Sequence, residues 1–506
     1  LPPKEVADAL VECYLKTTES IYRILHLPTF RQIYDAIWVP DAIYNTEMSF
    51  VIQLKLVLAI GASTYDKDFS FRVPAIKWIY EAQTWLSEPK FKSRLDIPFL
   101  QTSLLLLIAQ ERVGVGGEMM WISIGSLLRK SICIGLHRDP IHFPQRSILA
   151  AEMRRRLWNT VLEMTLQSSL TSGGPPLISL NDFDTEPPGN YDDDQLMADD
   201  PVPKPLTVFT QMSVAIALRK TFPQRLAVIK FLNDLSSPGT YEETLRLDRD
   251  LRKAYKELGQ TVREISASSK GSSPPKLDIK LVDFLMHRYL SSLHVPYFGP
   301  GLQETAYAFS RKVVVESSLK IWRAAYPSSR LSASACFDSP ETNSEWEGLP
   351  RLAICCSGFY PTVAIQAAFL IAIELRAQGQ EDESLGPVVL RQDLMSVLDD
   401  AKDWCLSAVQ AGETNVKGFL LMSVVTAQIL GLIRGVGQDE VAKLLIEAVE
   451  NVEKECLPIL EQMAVALDQG ESTADDIQQG SMSTPLGDLE GWAFMVSVNY
   501  YHTFAP

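Results

Sequence analysis

Basic residues are in short supply in this sequence. There are 47 Lys plus Arg against 62 Asp plus Glu, which leaves a formal charge of −15 and a pI near 5.0. A surface that acidic repels a phosphate backbone, so these 506 residues are poor candidates for gripping DNA directly. Cys-x2-Cys is absent. The seven cysteines (Cys13, Cys133, Cys336, Cys355, Cys356, Cys405 and Cys456) are odd in number and widely spaced, which reads as reduced thiols and not a disulfide framework. Histidine is limited to His26, His137, His142, His287, His294 and His502, and no general base, nucleophile and orienting group stand out among them. His137 and His142 are five apart, the wrong spacing for two ligands on one helix face, so no zinc site is expected within the chain. No P-loop and no G-x-S-x-G elbow occurs. Gly114-x-Gly116-Gly117 has Met119 where a dinucleotide fingerprint needs its third Gly, and it reads as a helix stop and turn. No secretory signal is visible in residues 1–20, which carry Lys4, Glu5, Asp8, Glu12, Lys16 and Glu19. The start, Leu1-Pro2-Pro3 without Met, suggests a fragment of a longer protein.

Period-two alternation is also scarce, and no series of strand-then-helix units appears. Helical spacing dominates instead: Leu54, Val57, Leu58, Gly61; Met120, Ile124, Leu127, Leu128; Leu157, Val161, Met164; and Leu394, Val397, Leu398. The expectation is an all-α fold, a large irregular multi-helix array of two packed halves. The N-terminal half spans 1–265 and includes an acidic, Pro-rich loop over 171–206; the C-terminal half spans 277–467; an acidic segment over 468–506 follows. The Ser-, Gly- and Pro-containing stretch 266–276 is the expected linker, and 326–350 is another Ser-, Pro- and Glu-rich break.

Three segments invite a functional reading. Leu352 to Ile373 is uncharged and long enough to span a bilayer, but Ser357, Gly358, Tyr360, Pro361, Thr362 and Gln366 favour one buried central helix, with no membrane contact. Residues 181–200 hold eight acids and no base, including Asp192-Asp193-Asp194. Together with Asn233-Asp234 they faintly suggest the paired magnesium motifs of helical terpene synthases. Tyr241 stands where the required Glu belongs, and a solvated acidic loop is the better reading. Arg154-Arg155-Arg156 fans through roughly 200° of a helix and so forms no basic stripe. Glu152 is the expected i, i+4 partner of Arg156, and Arg154 is expected over Trp158.

Several motifs in order resemble a known family. Ile24-Leu25-His26-Leu27-Pro28-Thr29-Phe30 comes first. Gly135-Leu136-His137-Arg138-Asp139 follows, then Arg154-Arg155-Arg156-Leu157-Trp158, then Gly174-Pro175-Pro176, and Asp182-Phe183-Asp184 ahead of Pro187-Pro188. Together they resemble the fungal-specific transcription factor regulatory domain, the middle homology region of fungal zinc-cluster transcription factors. A later His294-Val295-Pro296-Tyr297-Phe298 is similar to that family's Leu-His-x-Pro-Phe element. Read as residues, the motifs are architectural. Gly135 ends a helix or admits a close neighbour. His137, Arg138 and Asp139 bond freed carbonyls and each other. Leu157 and Trp158 anchor a central helix, which Gly173-Gly174-Pro175-Pro176 stops.

The resemblance implies a regulatory, effector-binding domain and not an enzyme. It would control transcription by RNA polymerase II, in the nucleus, through intramolecular or coactivator contacts. In that family a six-cysteine cluster binds two zinc ions and reads DNA, so DNA would be met only through a module missing from this sequence. A small-molecule effector is one expected partner, with Trp322, Phe359, Tyr360, Phe369 and Phe419 as candidate pocket walls. Coactivators are another, met by an acidic C-terminal stretch with Asp475, Asp476, Asp488, Trp492 and Phe494, and a homodimer is a third. Two alternatives stand beside this reading: a ligand-free dimerisation or inhibitory scaffold, and a metal-dependent all-α lyase or transferase.

Overall fold

A computed structural model describes residues 1–39, 46–66, 69–88, 96–116, 120–144, 147–236, 239–268, 276–326, 348–355, 357–381, 390–413 and 415–471. It is all-α, with no strand among the described residues. The linker core at 269–275, most of 326–350 and the acidic C-terminal residues from 472 onward, including Trp492 and Phe494, lie outside the described residues.

Two compact units partition the chain. The first comprises Leu1–Tyr289 with Cys356–Phe359. Its helices are α1 (Lys4–Tyr14), α2 (Leu27–Ala36), α3 (Met48–Ala62), α4 (Arg72–Ser87), α5 (Ile97–Val113), α6 (Met120–Cys133), α7 (Ile148–Ser172), α8 (Ser213–Leu232), α9 (Tyr241–Ser268) and α10 (Lys276–His294), the last up to Tyr289. α3 is apolar on every side and buried on nearly every side, between α1, α4 and α5. Gly61 makes the closeness to α1 feasible: a Cβ there would lie 2.0 Å from the Leu10 carbonyl oxygen. α9 shows the opposite habit. It buries Leu247, Leu251, Ala254 and Leu258 against α8 and turns Glu243, Arg246 and Asp250 outward.

Local chemistry sets the ends of these helices. The Asp96 carboxylate accepts from the Phe99 amide at the start of α5, and Ser147 Oγ accepts from the Ala150 amide at the start of α7. Gly114 and Gly173 close α5 and α7 in the left-handed conformation, as the glycine pattern predicts.

The second unit comprises Leu290–Cys355 and Tyr360–Pro506. It holds α11 (Ala308–Ala325), α12 (Leu349–Cys355), α13 (Phe359–Glu381, from Tyr360), α14 (Gln392–Gln410), α15 (Lys417–Ile433) and α16 (Gln438–Glu471). α14, α15 and α16 pack mutually, and α11 packs on α12 and α14. Arg311 of α11 grips Glu374 of α13 through two hydrogen bonds of 2.8 and 3.0 Å.

One expectation is corrected here. The uncharged run 352–373 is two helices, not one, because Gly358 takes φ +89° between α12 and α13. Only glycine holds that conformation cheaply. By length and composition Phe359–Gln380 could cross a membrane, but 61% of its most apolar window is buried inside the protein.

Candidate functional site: a buried charged layer around α7

α7 carries the Arg154-Arg155-Arg156-Leu157-Trp158 motif and is the least ordinary helix of the first unit. Every residue from 152 to 170 except Arg155 is buried, although this stretch includes Glu152, Arg154, Arg156, Asn159, Glu163 and Gln167. Charge in a dry interior is costly unless paired, so the partners decide whether the helix can exist there.

Each charge finds a different partner. Arg155 bridges Asp139, at 2.8 and 2.9 Å, and Glu152, at 2.8 Å. Arg154 donates to the Ile134 carbonyl at 2.7 Å and lies over the Phe143 ring. Arg156 reaches Asp193 at 2.5 Å, and the other Asp193 oxygen accepts from the Leu27 amide at the start of α2. Arg225 of α8 meets Glu163 with both terminal nitrogens at 2.6 Å, the bidentate geometry that best offsets desolvation. Further along, Gln167 accepts from the Tyr22 hydroxyl at 2.8 Å, and Thr160 Oγ1 donates to the Tyr22 carbonyl.

These pairings fix the titration of the layer. Burial alone would raise the Asp139 carboxyl, but Arg155 and the Ile141 and Glu186 amides reverse that and hold it at about 2. Burial likewise opposes ionisation of Asp193, and Arg156 with the Leu27 amide holds it below the ordinary value. Arg225 is driven up by Glu163 against its own desolvation. Glu19 behaves differently. It is fully buried after the π-helical turn Leu15–Glu19, where it accepts from the Tyr14 hydroxyl at 2.5 Å and from the Leu25 amide at 3.0 Å. Burial dominates there and lifts it to about 7.

The motif residues converge on this layer. His26 caps the start of α2, with Nδ1 2.7 Å from Thr29 Oγ1 and Nε2 3.0 Å from the Asp193 carbonyl. Pro28 stands in the first turn of α2, and Phe30 is buried against Phe50. Gly135 has φ +74°, and a Cβ on it would press on the Phe143 ring at 3.3 Å and on Arg154 at 3.4 Å. Leu136, Leu157 and Trp158 are core. Trp158 meets Phe183 edge-on at 5.7 Å and tilts against His137 at 6.4 Å. Asp184 accepts from the Asp139 amide at 2.8 Å and pairs with exposed Arg138 at 3.2 Å. Gly174 lies under Trp121, Pro175 is exposed, and Pro176 is buried. Exposed Asp182 accepts from the Ser179 amide at 2.5 Å.

Several partners differ from those that sequence spacing suggests. Glu152 pairs with Arg155, three residues on along α7, and not with Arg156, which Asp193 of the acidic loop takes; Arg154 lies over Phe143 of the loop after α6 and not over Trp158. The carbonyls of Lys130, Ser131 and Ile132 at the end of α6 accept from the amides of Ile134, Leu136 and Gly135, the Ile134 carbonyl accepts from Arg154, and the Gly135 carbonyl accepts from the Arg138 amide at 3.3 Å. The acidic loop is only partly solvated: Asp193 is 3% exposed, and Asp192 pairs with Lys204 at 2.5 Å, just outside the window that held no base. Glu163 and Arg225 belong to no motif in the sequence, and Glu19 stands there only as one of several charges near the start. The available signal was Glu163 standing inside the apolar run Val161-Leu162-Glu163-Met164.

The candidate pocket-wall residues are mostly interior. Trp322, Phe359, Tyr360 and Phe419 are each at most 3% exposed, and Phe369 is half-buried. Trp322 tilts against Tyr326 and meets Trp404 edge-on. The first unit has a crevice with room for about one water, lined by Tyr22, Asn159, Thr160, Glu163 and Gln167 among others. No group of three or more His, Cys, Asp or Glu among the described residues has the arrangement to hold a metal.

A family model described as the fungal specific transcription factor domain matches residues 11–268. Transcription factor lepE of Aspergillus flavus is 31% identical over 99% of this chain and 60% of its own length. The aspyridones cluster regulator apdR of Emericella nidulans is 33% identical over 57% of the chain and 40% of its own length. The Zn(2)-C6 fungal-type transcription factor mpsB of Macrophomina phaseolina is 26% identical over 63% of the chain and 45% of its own length. The chain thus spans about half the length of the curated relatives it matches. No solved structure matches it significantly.

Proposed function

Because this chain belongs to the family of fungal specific transcription factor domains, we propose that it governs when an attached zinc-cluster DNA reader acts on a group of clustered genes. It is a regulatory domain of a fungal transcription factor and not an enzyme, and the lyase alternative is set aside on that ground. One observation carries the reading: the family match, 11–268, coincides with the unit that α7 and its charged layer organise.

The rest of the proposal follows from chemistry. The charge of −15 leaves DNA contact to another part of the protein. The described cysteines Cys13, Cys133, Cys405 and Cys456 form no disulfide and are scattered along the chain, and the two zinc ions would sit in a six-cysteine cluster elsewhere in the full-length protein, as in a Zn(2)-C6 relative. Such a protein works in the nucleus. The domain acts on the reader by direct intramolecular contact or by recruiting coactivators, and the acidic, aromatic C-terminal residues are the candidate recruiting segment. A small effector would act by favouring one of two packings of the helices.

A second reading, a ligand-free scaffold, is favoured by the tight burial of Trp322, Phe359, Tyr360 and Phe419. Deleting the segment that encodes this chain from the native gene tests the main reading. Transcripts of neighbouring genes should change together while the remaining protein still binds DNA. Unchanged transcripts would refute it. Thermal shift of the purified chain against a metabolite panel separates the two readings, since a scaffold shows no ligand-dependent shift.

A further inference from the structure

α16 buries one apolar side within the second unit, where Val452 and Cys456 are 5% and 3% exposed and the helix packs on α14 and α15. An adjacent side carries exposed apolar residues as well, interrupted by Asp439 and Glu453. Ile446 is 60% exposed, Val449 43% and Leu457 46%, and Ala442 is exposed as well. At 100° per residue these four fall within an arc of about 80°. A surface helix ordinarily has a single apolar stripe, so the second one asks for a partner.

The charges beside it say which partner. Lys443, Glu450, Lys454 and Glu461 lie along one flank of the stripe, all four exposed. Their signs run plus, minus, plus, minus. Among the described residues, no ion pair uses any of them. We propose that a second copy of this chain docks here, its α16 antiparallel to the first about a two-fold axis beside Val452.

That axis sets Lys443 opposite Glu461 of the second copy and Glu450 opposite Lys454 of the second copy. Symmetry repeats both pairs, as an isologous interface requires. Ile446 then meets Leu457 of the second copy, while Val449 lies near the axis. Pro458 is on the far side of the helix from the stripe and does not intrude. Glu453 lies within the stripe and faces its own copy across the axis. Those like charges, and an interface near the low end of about 1,000 Å², set the association in the micromolar range.

Sedimentation velocity on the whole 506-residue chain, over a concentration series through the micromolar range, tests this. The wild type should show a concentration-dependent monomer–dimer equilibrium. Ile446→Lys should leave only monomer. Lys443→Glu should weaken the dimer by about tenfold, or 1.4 kcal/mol, and Lys443→Glu with Glu461→Lys should restore it. Thermal melts of each variant verify that the fold is kept, which these exposed positions should allow. A wild type that stays monomeric throughout would overturn the proposal, as would a dimer indifferent to Ile446→Lys or a charge reversal that the second reversal does not rescue.

Discussion

Trp158 is 1% exposed and wedged between Phe183 and His137, so Trp158→Ala removes a large buried ring whose space the rigid α7 cannot close. The expected loss is about 3–5 kcal/mol, read as a lower urea midpoint; Trp158→Phe should lose far less. Arg225 and Glu163 are a sharper case. Arg225→Met strands a buried carboxylate and should cost about 3–5 kcal/mol, whereas Arg225→Met with Glu163→Leu should recover most of it. A double-mutant cycle by chemical denaturation measures both. Glu19 gives the pH dependence. Its carboxyl titrates at about 7 in the fold against an ordinary 4.5. Between those values the folded chain keeps a proton that the unfolded chain has released. The stabilisation is therefore complete below about pH 4.5, declines as pH rises, and is gone above about 7. Stability measured at pH 5 and pH 8 should fall more steeply for the wild type than for Glu19→Gln; parallel profiles would contradict the assignment.

At the scale of helices, the contact between α1 and α3 hangs on Gly61. Gly61→Ala forces a methyl group into the Leu10 carbonyl and should cost about 1–3 kcal/mol by overpacking. Hydrogen exchange should show the loss as faster exchange across Lys4–Tyr14. Unchanged exchange there would mean that α1 is held by other contacts. The helices themselves were legible in the sequence, since Leu54, Val57, Leu58 and Gly61, or Leu157, Val161 and Met164, carry the apolar period on their own. The charged layer was not. Arg156 meets Asp193 across 37 positions and Glu163 meets Arg225 across 62, and pairing at such separations leaves no periodic trace. The break at Gly358 was hidden for a related reason: an uncharged run looks the same whether one helix or two fill it. The motif residues were found only because their order matched a family. Composition alone gives no reason for His26, Gly135 and Asp139 to meet around one helix.

For the whole molecule, the central idea is that the charges around α7 are architecture beneath a regulatory activity, with no chemistry of their own. If so, the identity of a buried pair matters less than its being complete. The direct measurement is transcript abundance of the genes neighbouring the native gene, in strains carrying Arg225→Met alone or with Glu163→Leu. Protein levels and melting temperatures are checked in parallel. The single change should unfold the domain and alter those transcripts as the deletion does. The paired change should restore both the fold and the transcription. A paired variant that folds like the wild type yet loses control of those genes would show that the ions themselves are the functional group, and the account would be wrong.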